Sequence, residues 1–358
     1  MSMFEVITQK ECWNQAMEQF QQIDGYYTFS YGQAFAIREE GELMAVYFEA
    51  ERVKLFYSFI KRKIDGVDMD VYDLVSPYGY GGPHIECQRG NSVSEVLPEF
   101  LKCFRKFCLE NNIVTETIRY HPLYGNGELF KNDLPVDYVR KTVGVDLSPS
   151  LDEIRMGYSS SNRRNIRAAI RNGLSCEVVP KTERNIRLFT EMYHETMKRN
   201  EAAPYYFFSE ELLHLQLEDT STNKTELLFV EHKGKIVGGA ILMIGPKYAY
   251  YHLGASLSEA LLLRPNNLLF DFMVKRAREE GAEVLYLGGG TGENDSLFRF
   301  KASFSQGCHY NFYVGKVIHD SDLYTRILQE GKADGNTDYF PLYRSGQWRF
   351  NVRLKNAK

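Results

Sequence analysis

The chain has 358 residues, enough for two domains or one large one. Hydrophobic and charged fractions of 44% and 25% are ordinary for a soluble globular protein, and a net charge of −4 excludes any global attraction to nucleic acid, so an RNA contact would need a local basic patch. Six scattered cysteines without a CxxC pair and eight histidines without ligand spacing exclude a disulfide framework and a metal site.

The N terminus, MSMFEVITQKECWNQ, lacks the basic-then-apolar order of a signal peptide, and no apolar run approaches the ~20 residues that span a bilayer. The expected setting is cytoplasmic, with reduced cysteines and with peripheral membrane contact left open. Residues 10–23 read as a first helix, followed by Tyr26–Ile37 and by Leu43–Phe48, which alternates as a strand should. Lys54–Ile60 is a further strand. The glycine-rich stretch Asp73–Pro83, with Tyr78 and Tyr80, is either a tight connection between strands or a ligand-facing loop. Ser94 is placed to cap the next helix, with Pro98 near its first turn and Leu97, Leu101, Phe104 and Cys108 on one face. Ile113–Tyr120 follows as a strand.

The segment Asp146–Gly173 reads as a seam. Ser159–Ser161 offers an N-cap for a helix over Asn162–Asn172, stopped by Gly173. That helix sets Arg164, Arg167 and Arg171 on one face and Ile166 and Ile170 on another. The arginines suit a phosphate clamp, or equally a solvated face paired with nearby acids. Ser175–Val179 is a strand, and Thr182 caps a helix with Ile186, Phe189 and Tyr193 inward. It ends at Arg199, beside the aromatic run Tyr205–Phe208. A short helix over Glu210–Leu217 comes next. Glu226–Glu231 and Ile236–Ile244 form a hairpin around Gly234, with a bulge or a close backbone approach suggested at Gly238–Gly239.

The strand-like Tyr248–Ala255 leads to a helix that Asn266 or Asn267 caps after Pro265, with Leu269, Phe270, Met273, Val274 and Ala277 as its apolar stripe. Gly281 ends it. Val284–Leu287 is a short buried strand that empties into Gly288–Gly289–Gly290, where backbone can approach a ligand. Lys301 then stands alone among the aromatics of Phe298–Phe304. Tyr310–Ile318 is a strand, Leu323–Leu328 a helix, and Trp348–Leu354 a possible last strand. The helix-then-strand order near residues 94–120 is matched at 267–287, which favours two copies of one α/β plan.

Four short motifs occur in order: Gly254–Ala255–Ser256, Pro265–Asn266–Asn267–Leu268–Leu269, Leu287–Gly288–Gly289 and Phe300–Lys301–Ala302–Ser303–Phe304. In this the chain resembles the Fem family, the FemAB-like peptidoglycan interpeptide-bridge aminoacyltransferases built from tandem GNAT-type domains. The family's Gly after the last Phe is displaced here to Gly307, and the long heptad-patterned arm of some members is absent. The resemblance implies an α/β fold of two tandem GNAT-like domains, each a mixed twisted sheet flanked by helices. The expected division is 1–148 and 149–319, with about 320–358 packing back on the first domain. It also implies an acyltransferase that makes an amide from aminoacyl-tRNA and an amine of a cell-wall precursor, nucleotide-sugar or lipid-linked. Lys301 would steady the oxyanion, and Arg164, Arg167, Arg199, Tyr205, Tyr206, Tyr251, Asn267, Gly289 and Gly290 would hold substrate. No cofactor is implied beyond the donor.

Two alternatives stay open: an acyl-CoA-dependent N-acyltransferase acting on an amino-sugar of a surface polysaccharide, and a non-catalytic binding module. The glycine turn that cradles the pyrophosphate of CoA in GNAT enzymes is replaced here by Leu263–Asn267, and the first copy shows no match near Pro83–Asn91. Gly288–Gly292 lacks the helix and the distant acid of a dinucleotide loop. Glu293 and Asp295 are possible proton acceptors, or simply solvated. Asp271 and Lys275 have the spacing of a surface ion pair.

Overall fold

A computed structural model describes residues 2–88, 92–330 and 339–345. The described residues divide into two units: those within 2–20, 35–139 and 312–345 form the first, and 21–34 and 140–311 the second. The boundary thus falls at 139/140 and 311/312 rather than at 148/149 and 319. Residues 21–34 join the second unit because Asp24 is buried there against the Tyr250 hydroxyl, which donates to it.

In the first unit β1 (Met3–Ile7) precedes α1 (Lys10–Met17), and α2 (Phe29–Glu39) enters from the second unit. β2 (Glu42–Ala50), β3 (Val53–Lys63), β4 (Tyr72–Val75), β5 (His84–Cys87), α3 (Val93–Glu110), β6 (Ile113–Arg119) and α4 (Asn126–Phe130) follow. β1–β2–β3–β4 is antiparallel, β4 pairs parallel with β6, and β5 runs beside β3. α3 covers one face, burying Val96, Leu97, Phe100, Phe104, Phe107 and Cys108 against Phe48, Tyr57, Phe59 and Ile118. Two expectations fail locally. The N-cap of α3 is Ser92, not Ser94. Pro98 lies in the sixth helical position, where its missing N–H interrupts the ladder while the apolar face holds the helix.

The second unit takes up β7 (Val136–Asp146), which crosses from the first, then α5 (Leu151–Gly157), α6 (Ser160–Arg171), β8 (Leu174–Val179), α7 (Glu183–Arg199) and α8 (Glu210–Gln216). β9 (Lys224–His232), β10 (Lys235–Ile244), β11 (Tyr248–Ser256), α9 (Pro265–Glu279), β12 (Val284–Gly288), α10 (Ser296–Ala302) and the start of β13 (His309–Ile318) complete it. Its strands lie in the order β7–β12–β11–β10–β9–β8, antiparallel except for the β11–β12 pair. The bulge sits at Val237, between Ile236 and Gly238. α9 is buried along Leu268, Leu269, Met273, Val274 and Ala277, in one cluster with Leu228, Val230, Ala240, Leu242, Leu285 and Leu287. Each unit is therefore a mixed sheet with one parallel pair and a helix joining its two strands.

The rest of β13 pairs antiparallel with β6, and α11 (Ser321–Glu330) sets Ile327 against Ile64, Val71 and Val114 of the first unit. Tyr343 and Thr115 share a hydrogen bond of 2.6 Å, and Arg344 donates to Asp73 at 2.7 Å. The strand expected at 348–354 lies outside the described residues.

Candidate functional site

β11 and β12 are paired over three residues only, Tyr248↔Val284 to Tyr250↔Tyr286. Beyond that point β11 stays with β10 as far as Ser256, while β12 turns to pair Gly288 with Val143 of β7. The two parallel strands therefore part, leaving a wedge with Tyr251 on one side and Gly288–Gly290 on the other. The matching place in the first unit is closed. After β4, the Ser76 N–H bonds to the Thr117 carbonyl at 3.1 Å and the Gly81 N–H to the Arg119 carbonyl at 2.7 Å. Arg119 Nε in turn donates to the Gly79 carbonyl at 2.9 Å. Gly82 has φ +73°, and a Cβ there would stand 2.9 Å from the Tyr120 ring, so the stretch Asp73–Pro83 serves as a tight connection.

Lys301 reaches across the open wedge. It sits in the last turn of α10, whose N-cap is Asp295: one carboxylate oxygen accepts the Phe298 N–H at 2.7 Å. The other oxygen accepts from the Thr291 N–H and hydroxyl and the Gly292 N–H at 2.6–2.9 Å, tying the post-β12 loop to the helix start. Phe298 and Phe304 pack into the core, and this anchors the helix so that Lys301 points inward. The side chain is 7% exposed. Its Nζ donates to the Gly289 carbonyl at 2.7 Å and lies 5.5 Å from the centre of the Tyr251 ring. Burial drives its pKa down to about 7; Asp295 opposes the shift and Arg140 adds to it. An ammonium has three donors, and two remain for a ligand. At Gly290 a Cβ would stand 1.9 Å from the Asp295 carboxylate and would displace the side chain that ties this loop to α10.

Tyr251, Gly289 and Gly290 thus gather around Lys301, while Asn267, Arg199, Tyr205 and Tyr206 have partners of their own. Asn267 is buried and donates to Asn162 Oδ1 at 2.9 Å, and Asn162 donates to Ser303 Oγ at 2.7 Å. The chain of amides locks α9, α6 and α10 together. Asn267 does not cap α9 either: Arg264 is the N-cap, in the left-handed region, with Pro265 first in the helix. Arg199 donates to the Ser256 carbonyl at 2.8 Å and to Ser258 Oγ at 3.0 Å, so its guanidinium ties the end of α7 to the end of β11. Tyr205 and Tyr206 pack on each other, and Tyr205 also packs on Phe208, beside α7. Arg164, Arg167 and Arg171 are exposed on α6, with no ion pair or hydrogen bond among the described residues. Ile170, on the other face with Ile166, is 57% exposed, whereas Ile166 is buried.

Asp295 is a loop tie and helix cap, and the backbone N–H donors hold its pKa far below the usual range. Glu293 accepts from the Lys141 N–H at 3.3 Å. Asp271 is buried and pairs with Arg155 through two bonds of 2.8 and 2.6 Å, while Lys275 pairs with Glu279.

Arg140 escaped the sequence reading because β7 itself did: Arg140 and Lys141 break its apolar run. Its Nη1 donates to the Thr291 carbonyl at 2.7 Å, placing a second cation on the loop that Lys301 touches. At the start of α9, Pro265 has no N–H, and the Asn267 and Leu268 N–H groups both turn to the Arg264 carbonyl. Few donors are left there to cradle a pyrophosphate. Among the described residues no helix is long and apolar enough to cross a membrane.

Residues 160–301 match the acetyltransferase (GNAT) domain family, and Lys301 closes the matched stretch. No curated protein matches the sequence. Among solved structures, FemX shares 15% identity over 90% of this chain and 99% of its own, with a TM-score of 0.66. L-PGS from Bacillus licheniformis shares 13% over 90% and 96%, at 0.57. The C-terminal DUF2156 domain of a provisionally assigned lysylphosphatidylglycerol synthetase from Agrobacterium fabrum shares 14% over 90% and 96%, at 0.54. At these identities the likeness is one of fold. The chain is Fem-like in that fold, two GNAT-type α/β units in tandem, the second of which carries the acetyltransferase-domain match over residues 160–301.

Proposed function

We propose that the second unit is an acyl-transfer centre that makes an amide, with an aminoacyl-tRNA as donor and an amine of a nucleotide-sugar or lipid-linked cell-wall precursor as acceptor. The observation that carries this reading is Lys301 itself: a buried ammonium held by the Gly289 carbonyl and spanning the gap between two parted parallel strands. In the reaction the acceptor nitrogen attacks the ester carbonyl and a C–N bond forms. The carbonyl oxygen becomes negative, and Lys301 stabilises it. The C–O bond to the tRNA ribose then breaks, and the ribose oxygen leaves with the proton lost by the amine. Arg140, on the same loop, adds positive potential where charge develops.

The exposed arginines of α6 are the phosphate contacts in this scheme, and Arg199 is not. The resemblance to the Fem family, and a neighbour named as a lysylphosphatidylglycerol synthetase, make cell-wall and lipid aminoacylation the natural reactions to assay first. Purified protein is to be incubated with charged total tRNA and UDP-linked muropeptide, and the products weighed by mass spectrometry. A mass gain of one aminoacyl residue on the acceptor, lost with Lys301→Ala, is expected; tRNA that stays charged and an acceptor that stays unmodified would refute the scheme. The acetyltransferase-domain match favours a second reading, acyl-CoA as donor to an amino-sugar. The proline and the spent N–H groups at the start of α9 weigh against it, and micromolar CoA binding by calorimetry would reverse the order.

A further inference from the structure

The first unit contains a cavity of about 380 Å³ between α3 and the sheet. Native cores leave few voids larger than a water molecule, whereas small-molecule sites span roughly 300–1,000 Å³. Its walls are apolar: Phe100, Leu101 and Phe104 from α3, Ile118 from β6, Val317 from β13, and Phe130 and Leu134 around α4. Lys102, Arg105 and Asp133 also line it and are exposed, so the cavity opens to solvent at a rim that is two-thirds basic. Lys102 and Arg105 make no ion pair among the described residues.

The inner end is polar. Glu116 is 2% exposed and lines the cavity with Tyr57 and His319. The Tyr57 hydroxyl donates to one of its carboxylate oxygens at 2.5 Å, and His319 Nε2 lies 3.2 Å from the other. Two protein partners leave each oxygen with a further acceptor position. Nearby, the Tyr120 ring stacks on the wall residue Phe130, and its buried hydroxyl has no partner among the described residues. With Tyr57 and His319 each holding one oxygen, the buried Glu116 carboxylate is suited to a ligand that brings a further donor to it.

We infer that this cavity is a second ligand site, for an anionic amphiphile whose charged head sits at Lys102 and Arg105, whose apolar body fills the space among Phe100, Phe104 and Phe130, and whose buried end donates a hydrogen bond to Glu116. The site lies wholly in the first unit and shares no residue with the Lys301 wedge, so it stands whether or not that wedge transfers acyl groups.

The test uses the full chain, with 12-hydroxydodecanoate, dodecanoate and 1,12-dodecanediol as probes, by isothermal titration calorimetry. The hydroxy acid is expected to bind once per chain, about tenfold or more tighter than dodecanoate, because its buried hydroxyl meets the Glu116 carboxyl oxygens, a contact dodecanoate lacks. Lys102→Ala/Arg105→Ala changes only exposed residues. It should weaken both acids about tenfold and leave the diol unchanged. Leu101→Trp should abolish binding of all three, and Lys301→Ala should leave it intact. No heat from any probe, a dodecanoate as tight as the hydroxy acid, or indifference to the double substitution would each overturn the inference.

Discussion

The pH dependence of transfer tests the role of Lys301 most directly, because burial has moved its titration into the working range. The pKa stands at about 7 in place of about 10.5, with desolvation as the main cause and Arg140 adding to it. If the ammonium form stabilises the oxyanion, kcat/KM expressed per unprotonated acceptor amine is level below pH 7 and falls tenfold per unit above it, since the neutral Lys301 amine has lost the charge. A base that took its proton from the incoming amine would give the opposite limb, rising through pH 7. Lys301→Ala removes the donor and should lower kcat by about 10²–10³, or about 3–4 kcal/mol of transition-state stabilisation. It should also erase the limb. Arg140→Ala removes a like charge and should move the limb to higher pH. The assay is initial-rate transfer at subsaturating donor between pH 5.5 and 9, with the ester's own hydrolysis subtracted. A rising limb would reassign Lys301 as a base. A flat profile, or a loss below tenfold for the alanine variant, would remove it from the chemistry.

The same shift has a consequence for stability. Between pH 7 and 10.5 the unfolded chain holds a proton at Lys301 that the folded chain has released, so stability rises with pH across that window and the deficit is complete below it. The gain from pH 7 to 9 should be about 2–3 kcal/mol at 1.36 kcal/mol per unit, seen in urea melts of the wild type and missing in Lys301→Met. Arg155→Ala strands the buried Asp271 carboxylate. Removing one partner of a fully buried pair costs about 3–5 kcal/mol; with Arg155 40% exposed, a loss of about 2–3 kcal/mol in a urea melt is expected. Replacing Arg164, Arg167 and Arg171 together with alanine should leave stability within about 0.5 kcal/mol. It should weaken tRNA binding and flatten its salt dependence in a filter assay, by about one unit of log–log slope for each phosphate no longer neutralised. An unchanged slope would return these arginines to the solvated face.

Much of the second unit was legible because its signals are local. The Thr182 and Ser159 caps, the stripe of α9, the hairpin around Gly234 and the glycine exit of β12 are each fixed by neighbours within a few residues. β7 was not legible, since its pairing with β12 spans more than a hundred residues and its middle is charged. The true partner of Asp271 was hidden for the same reason: the i,i+4 lysine is visible in the sequence, whereas Arg155 arrives only once α5 packs on α9. Asn267 and Arg199 show the limit of reading a site from residue type. Polar groups at element ends draw the eye as ligand contacts, yet buried backbone and amide groups must first be satisfied, and both side chains are consumed in doing so.

The two units make the strongest argument about where chemistry can occur, because they are one plan carried out twice with a different ending. In both, a helix joins two parallel strands. In the first, the chain leaving β4 keeps bonding along β6 through Ser76 and Gly81, and a tyrosine-rich turn is drawn over the strand by Arg119. Backbone groups that could have met a ligand are already paired. In the second, β12 abandons β11 after three residues, and the Gly289 carbonyl is left to a lysine instead of a neighbouring strand. A buried lysine is costly to hold, and a carbonyl of an ordinary sheet would not require one. A variant that restores strand pairing beyond Tyr250 and Tyr286 should gain stability and lose transfer together. A chain that gained stability with transfer undiminished would mean that the parted strands are not where the reaction takes place.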